Sequence, residues 1–232
     1  MFTKKMILVT GASRGIGYAT SVSLAKKKER VLALARSSDA LEKLQNEHSR
    51  RIHIQTCDLM NLASVQLLVD YIREHRIQLT GVVHNAGALI NKPFSELTDD
   101  DWMHMWNANV MTAVRLVRAV LPFMTKKSHI VTIGSMGGFQ GSAKFPGLLA
   151  YSTSKGALST WTECMAKELE KENISVNCLC LGAVQTEMLN LAFPGLKAPL
   201  KPDDIAEFIS DFVINGHRFM NGKILPVALS NP

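Results

Sequence analysis

Short apolar, β-branched runs alternate with longer amphipathic stretches along almost the whole chain. The runs Met6–Thr10, Val31–Ala35, Ile52–Cys57, Gly81–His84, Ser128–Gly134, Ser175–Leu181 and Lys223–Val227 predict strands. Helical spacing fills the intervals over Ile16–Lys28, Asp39–His48, Leu62–Glu74, Asp99–Thr125, Ala150–Lys171 and Pro202–Ile214. Strands alternating with helices imply repeated strand–helix–strand units, and right-handed crossovers wind such units into one sheet. The expected fold class is α/β, with a doubly wound, seven-stranded, mostly parallel sheet and helices on both faces. No linker, repeat or low-complexity segment divides the chain, so residues 1–232 read as a single domain.

Two stretches, Met136–Leu149 and Leu189–Lys201, follow strands and are rich in Gly, Pro, Phe and Leu. Ligands of open parallel sheets bind outside the carboxyl ends of the strands. These stretches are therefore candidate pocket walls, the alternative being plain surface connections.

Composition narrows the class. A chain that is 47% hydrophobic and 20% charged has the balance of an ordinary globular protein. No apolar run approaches the roughly 18 residues of a membrane helix. Met1–Lys5 precedes an apolar segment of only Met6–Val9, too short for a signal-peptide core, so a cytoplasmic location and no membrane partner are expected. Cys57, Cys164, Cys178 and Cys180 form no CxxC pair and no zinc spacing, and no metal is expected. Cys178 and Cys180 alternate along one run and read as small buried hydrophobes. The net charge of +6 is scattered in groups such as Lys26–Lys28 and Lys126–Lys127, where helices should end. That is a solvated surface rather than a nucleic-acid patch, and part of the charge can serve a phosphorylated cofactor.

The first candidate chemistry is a turn. Thr10-Gly11-Ala12-Ser13-Arg14-Gly15-Ile16-Gly17 lies between the first strand and the first helix, where glycines allow a tight turn and close approach to a pyrophosphate. The N-terminus of that helix would hold the phosphates. At the end of the second strand an NAD site carries a carboxylate for the ribose, but this chain has Arg36-Ser37-Ser38. Arg14 can approach the same place. Two guanidinium groups facing each other cost energy unless a dianion lies between them, and a 2′-phosphate meets that need. The bland alternative is two exposed surface arginines. Asp39 is read as a helix N-cap rather than a ribose ligand.

Tyr151 and Lys155 are four apart in a helical stretch and share one face. A tyrosine of pKa near 10 is poorly matched to neutral pH, and a nearby ammonium would favour the phenolate. Alone, this spacing is common. With it come Thr10–Gly17, Asp58-Leu59, Asn85-Ala86-Gly87, Asn109, Ser135, Tyr151–Lys155 and Ser175–Met188, in an order that resembles the short-chain dehydrogenase/reductase family along nearly the whole chain.

The resemblance implies a Rossmann-like fold and an NADP(H)-dependent oxidoreductase acting on a carbonyl or secondary alcohol. It makes Tyr151 the general acid or base, with Lys155 lowering its pKa and holding the nicotinamide ribose. Ser135 would stabilise the substrate oxygen, and Asn109 would anchor a water linking Lys155 to solvent. Gly11, Ser13, Arg14, Gly15, Ile16, Gly17, Arg36 and Ser37 would then bind the phosphate-bearing half of the cofactor. Asp58 and Leu59 would lie beside the adenine, and Asn85, Ala86 and Gly87 along the cofactor. Gly182, Val184 and Thr186 would contact the nicotinamide end, the Thr186 hydroxyl on its carboxamide. Taken singly, Ser135 reads as a turn residue and Asn109 as an ordinary helix residue.

The chain departs from the family in places. Leu181-Gly182 replaces a Pro-Gly, His84 stands where an Asn is usual, and the Ser135–Tyr151 interval is a few residues longer than usual. The loop after Thr186 is short and the C-terminus abbreviated. His84 reads as structural.

A small-molecule carbonyl or alcohol is the expected partner, in a pocket lined by Phe139, Phe145, Leu148, Leu149, Leu189, Leu191 and Phe193. Glu168, Glu170 and Glu172 near the sixth strand speak against an acidic acyl carrier, and pteridine reduction stays open. The competing class is an NADP-binding sensor or scaffold without catalysis. The resemblance also implies a homodimer or homotetramer through the two long helices, with Trp102, Trp106 and Trp161 as core or interface aromatics.

Overall fold

A computed structural model describes residues 4–48 and 50–229 of the chain. Met1–Thr3, where the leading segment starts, lie outside the described residues. Seven strands form one sheet: β1 Lys4–Thr10, β2 Val31–Ala35, β3 Ile52–Thr56, β4 Ile77–His84, β5 Met124–Ser135, β6 Ser175–Leu181 and β7 Ile224–Val227. Their order is β3-β2-β1-β4-β5-β6-β7, and all six pairings are parallel. The helices are α1 Gly15–Lys26, α2 Ser38–Glu47, α3 Leu62–Glu74, α4 Asp99–Trp106, α5 Thr112–Val120, α6 Leu149–Glu168, α7 Glu187–Ala192 and α8 Pro202–Asn215.

The period-two geometry of a strand sorts its side chains between two layers. In β1, Ile7 and Val9 enter one core with Leu24 of α1, Leu41 and Leu44 of α2, and Ile205 and Ile209 of α8. Met6 and Leu8 enter the other with Leu68 and Ile72 of α3 and Leu116 and Val120 of α5. Covered on both faces, β1 carries an unbroken apolar run. Each fully buried leucine contributes roughly 1.5–3 kcal/mol of transfer free energy. The order reverses at β1–β4, where β1 and β4 leave the sheet on opposite sides of a crevice.

Three elements differ from the sequence pattern. β4 begins at Ile77 rather than Gly81, and β5 at Met124 rather than Ser128. The ladder jumps from Leu79↔Met124 to Gly81↔His129, so the polar segment Thr125–Ser128 is a bulge inside the strand. Ser128 Oγ satisfies the Leu79 carbonyl there at 3.0 Å. Lys126 and Lys127 thus lie in a strand and not at a helix end.

The stretch expected as one helix over Asp99–Thr125 is α4, then a π-helical turn over Asn107–Met111, then α5. It stops at Val120 because Leu121–Phe123 tightens into a 3-10 turn containing Pro122, which offers no backbone N–H. The helix cap at α2 is also corrected. Ser37, not Asp39, is the N-cap, its Oγ accepting the Ala40 N–H at 3.4 Å, and Asp39 stands in the first turn. Among the described residues no helix is long and apolar enough to cross a membrane.

Candidate active site

One cleft of about 560 Å³ runs along the carboxyl ends of the strands. Its floor begins at the Gly-rich turn. Gly11 and Gly15 have φ of +66° and +56°, and a Cβ on Gly17 would stand 2.3 Å from the Gly11 carbonyl oxygen. Only glycine lets α1 meet β1 this closely. Arg14, the N-cap of α1, places no side-chain acceptor on the first N–H groups. The positive end of the helix therefore opens on the cleft, which Gly15 and Ile16 line. Thr10 Oγ1 accepts the N–H groups of Asn85 (3.0 Å) and Ala86 (2.9 Å), which ties the β1 and β4 loops together beside it.

Most of the residues singled out in the sequence line this cleft. They are Gly11, Ser13, Arg14, Gly15, Ile16, Arg36, Asp58, Leu59, Asn85, Ala86, Gly87, Ser135, Tyr151, Lys155, Gly182, Val184 and Thr186. No carboxylate lies at the end of β2, where Arg36 follows Ala35 and lines the cleft.

Gly17, Ser37 and Asn109 stand behind the lining instead. Gly17 serves helix–strand contact, and Ser37 turns to cap α2. Both polar atoms of the Asn109 side chain are engaged: Oδ1 accepts the Ala88 N–H (2.9 Å), and Nδ2 donates to the Ala88 carbonyl (3.0 Å) and Ser154 Oγ (2.9 Å). The amide therefore fastens the β4 loop to α6. Thr186 Oγ1 likewise caps α7 by accepting the Leu189 N–H at 3.2 Å. Arg14 forms an ion pair with Glu187 at 2.9 Å, reaching from the Gly-rich turn to α7.

At the centre, α6 brings Tyr151 and Lys155 against the end of β5. Gly138 allows the contact, since a Cβ there would lie 2.6 Å from the Lys155 carbonyl carbon and the Gly156 nitrogen. Ser135 Oγ accepts the Gly137 N–H at 3.1 Å, which leaves its own proton uncommitted beside Tyr151. Lys155 Nζ donates to the Ile133 carbonyl at 2.8 Å and lies 5.9 Å from the Tyr151 ring centre. Burial lowers the ammonium to about 8. Burial also pushes the Tyr151 phenol above its ordinary value, against the downward pull of the Ser135 bond. In this arrangement desolvation outweighs what would lower the Tyr151 phenol.

The walls are apolar. Phe145, Leu148, Leu189 and Phe193 line the cleft as the loop compositions suggested, joined by Leu89, Met136, Met188 and Leu196. Phe139 instead packs on Met136, Cys178 and Cys180, while Leu149 and Leu191 are exposed. The Cys178 and Cys180 thiols lie 3.9 Å apart on one face of β6, buried as expected. Glu168, Glu170 and Glu172 precede β6, at the end of the sheet opposite the cleft, so they carry no information about what docks at its mouth. Sequence reasoning missed His104, Met60 and Glu187 as lining residues, and Ser154 as a support. The long amphipathic run hid His104, and nothing in the pattern distinguished Ser154 from the other hydroxyls of Tyr151–Lys155. Among the described residues, no cluster of three His, Cys, Asp or Glu is placed to hold a metal ion.

Comparison with known proteins agrees with this architecture. The family model for short chain dehydrogenases matches residues 5–196. A 3-oxoacyl-[acyl-carrier-protein] reductase of Pseudomonas aeruginosa is 29% identical over 239 residues, covering 96% of this chain and 95% of its own. An uncharacterized oxidoreductase of Staphylococcus aureus strain MW2 is 28% identical over 212 residues, with 90% of both chains covered. Among solved structures, a short chain dehydrogenase from Burkholderia cenocepacia in complex with NADP superposes with a TM-score of 0.87 at 27% identity, over 97% of each chain. The L-sorbose reductase of Gluconobacter frateurii, complexed with NADPH and L-sorbose, gives 0.86 at 25% identity, over 99% of this chain and 97% of its own. This chain belongs to the short-chain dehydrogenase family and is an oxidoreductase of that family.

Proposed function

We propose that the protein is an NADP(H)-dependent carbonyl reductase in which Tyr151 delivers the proton to the substrate oxygen. The observation that carries this reading is the meeting of Ser135 and Tyr151 on the lining of the cleft, with Lys155 Nζ 5.9 Å from the Tyr151 ring centre. Bound there, the nicotinamide supplies the hydride, or accepts it in the reverse direction. The first N–H groups of α1 hold the pyrophosphate, and Arg36 takes a 2′-phosphate. Arg14 joins it by leaving Glu187, an exposed pair of the kind worth about 0–1 kcal/mol.

Because burial keeps the Tyr151 phenol protonated at neutral pH, the site is poised for reduction. Tyr151 releases its proton to the carbonyl oxygen while Ser135, aimed by the Gly137 N–H, stabilises the charge that develops there. Lys155 then supports the phenolate. The apolar walls exclude water and favour an uncharged, hydrophobic ketone or aldehyde. Catalysis in the cytoplasm, by a homodimer or homotetramer joined through α4 and α6, belongs to the same proposal. Exposed Met103 and Trp106 on α4 support such a contact.

Tyr151→Phe tests the reading. NADPH turnover with a panel of ketones and diketones should fall at least about 100-fold, with the NADPH Kd unchanged. Turnover that survives the substitution overturns the mechanism. NADPH binding without turnover by the wild-type chain on any panel member would favour a sensor.

A further inference from the structure

His84 ends β4 fully buried, and its imidazole Nε2 lies 3.2 Å from Thr112 Oγ1. The Thr112 hydroxyl has one proton, which it donates to the Ala108 carbonyl at 2.7 Å. Its oxygen must therefore accept from His84, which places the imidazole proton on Nε2 and leaves Nδ1 bare. That Nδ1 is buried with no hydrogen-bond partner. Desolvation, with Lys155 nearby, lowers His84 to about 3, so the ring stays a neutral, fixed donor across the working range.

Thr112 is also the residue whose N–H reaches back to the Asn107 carbonyl and closes the π-helical turn. Such turns are unfavourable in isolation and need outside support. The turn carries Asn109, whose Nδ2 holds Ser154 Oγ, and that hydroxyl donates to the Tyr151 carbonyl at 2.7 Å. One chain of contacts thus runs from the end of β4 through Thr112, the π turn and Asn109 to the helical turn bearing Tyr151 and Lys155.

We propose that His84 is a positioning residue, clamping the π turn through Thr112 and thereby setting the placement of Asn109, Lys155 and Tyr151. The proposal rests on the reductase reading above and goes beyond it. A donor at His84 is needed because Thr112 Oγ1, its proton committed to Ala108, can take only a donor from the sheet side. A partnerless buried nitrogen is costly. Its retention on the very ring that makes this contact marks the donor as the useful half of the side chain.

The test uses His84→Phe, which keeps a ring and removes the donor, and Thr112→Val, which removes the acceptor from the other side. Each should lower kcat roughly 10- to 100-fold with KM for NADPH changed less than about twofold, as expected when reacting groups are displaced without loss of cofactor contacts. Each should also shift the pH profile of kcat/KM by about half a unit or more, because Lys155, lowered by burial to about 8, titrates there. The double variant should be no worse than the poorer single one. Deuterium uptake over residues 105–113 should rise in both, a reading that needs no turnover. A loss of thermal stability with kcat and pH profile as in wild type would make the contact ordinary packing and overturn the clamp. Unchanged uptake would overturn it as well. If His84→Phe fails to fold, Thr112→Val alone decides by the same criteria. Tyr151→Phe, assayed alongside, separates the two claims: activity surviving there defeats the reductase mechanism, whatever the clamp variants show.

Discussion

Tyr151, Lys155 and Ser135 are brought together by backbone that the side chains themselves do not reveal. The Ser135 proton is aimed by the Gly137 N–H, and Lys155 is held by the Ile133 carbonyl. The arginines obey a simpler rule, charge against charge. Replacing Arg36 by Asp and Arg14 by Ala removes two donors from a 2′-phosphate and places a carboxylate near it. Charge-assisted hydrogen bonds contribute about 1.5–3 kcal/mol each, so NADPH affinity should fall roughly 100-fold or more. NADH affinity should change less than about threefold, as read by fluorescence titration of both cofactors. Equal losses would show that the arginines hold something common to both.

At this scale the sequence was legible where a side chain's chemistry is unusual for its place, as with an arginine where a ribose carboxylate is expected. It did not show that a small hydroxyl there also has a backbone to cap. Ser37 and Thr186 turn to the N–H groups of α2 and α7, the commonest use of such residues.

Helices and strands position the site through two close approaches. One is α1 on β1 at Gly17, and the other is α6 on the end of β5 at Gly138. A methyl group at Gly138 would meet backbone atoms of Lys155 and Gly156, which cannot move aside as a flexible side chain can. Gly138→Ala should therefore displace α6 and cost about 1–3 kcal/mol of stability, as overpacking generally does. Since that displacement separates Ser135 from Tyr151, kcat should drop while KM for NADPH, set at α1, stays near wild type. Steady-state kinetics with thermal melting would check both. A variant with full kcat would mean that the Ser135–Tyr151 contact tolerates the shift.

The order and kind of the elements were legible because every strand but β7 pairs an apolar run with an amphipathic neighbour. The π-helical turn was not. Asp99–Val120 keeps its apolar spacing on both sides of Asn107–Met111, and the extra residue in the turn is absorbed by contacts from Ala88, Ser154 and His84, far off in sequence. β5 was shortened for the opposite reason: polar Thr125–Ser128 looked like a loop, yet the ladder passes through it as a bulge.

Across the molecule, burial of histidines couples the fold to acid. His129 lies in the β5–α8 layer with Nδ1 donating to the Val213 carbonyl at 3.2 Å and Nε2 accepting from Asn177 at 2.8 Å. Both nitrogens are used by the neutral ring, and desolvation lowers its pKa to about 4. Burial lowers His84 further, to about 3, and moves His53 and His217 in the same direction. In the unfolded chain each would titrate near 6.5. Between 6.5 and the folded values, the unfolded state binds more protons than the native one, so stability must fall as pH falls through that window. Above pH 7 both states are neutral at these sites, and the contribution of the histidines is level. Each fully depressed histidine steepens the decline by up to about 1.4 kcal/mol per pH unit, or on the order of 3 kcal/mol for His129 by pH 4. The carboxylate of Asp101, held near 2 by Lys92 and the Thr98 groups, acts only at more acid pH and leaves the window to the histidines. Urea unfolding followed from pH 8 to pH 4.5 should show a plateau and then this decline. His129→Gln, which keeps a side-chain donor and acceptor but cannot titrate, should unfold more easily at pH 8 and lose less on acidification. A wild-type curve flat between pH 7 and 4.5 would mean that these rings accept protons in the folded state at little cost, and that the packing around β5 and α8 is looser than the fold implies.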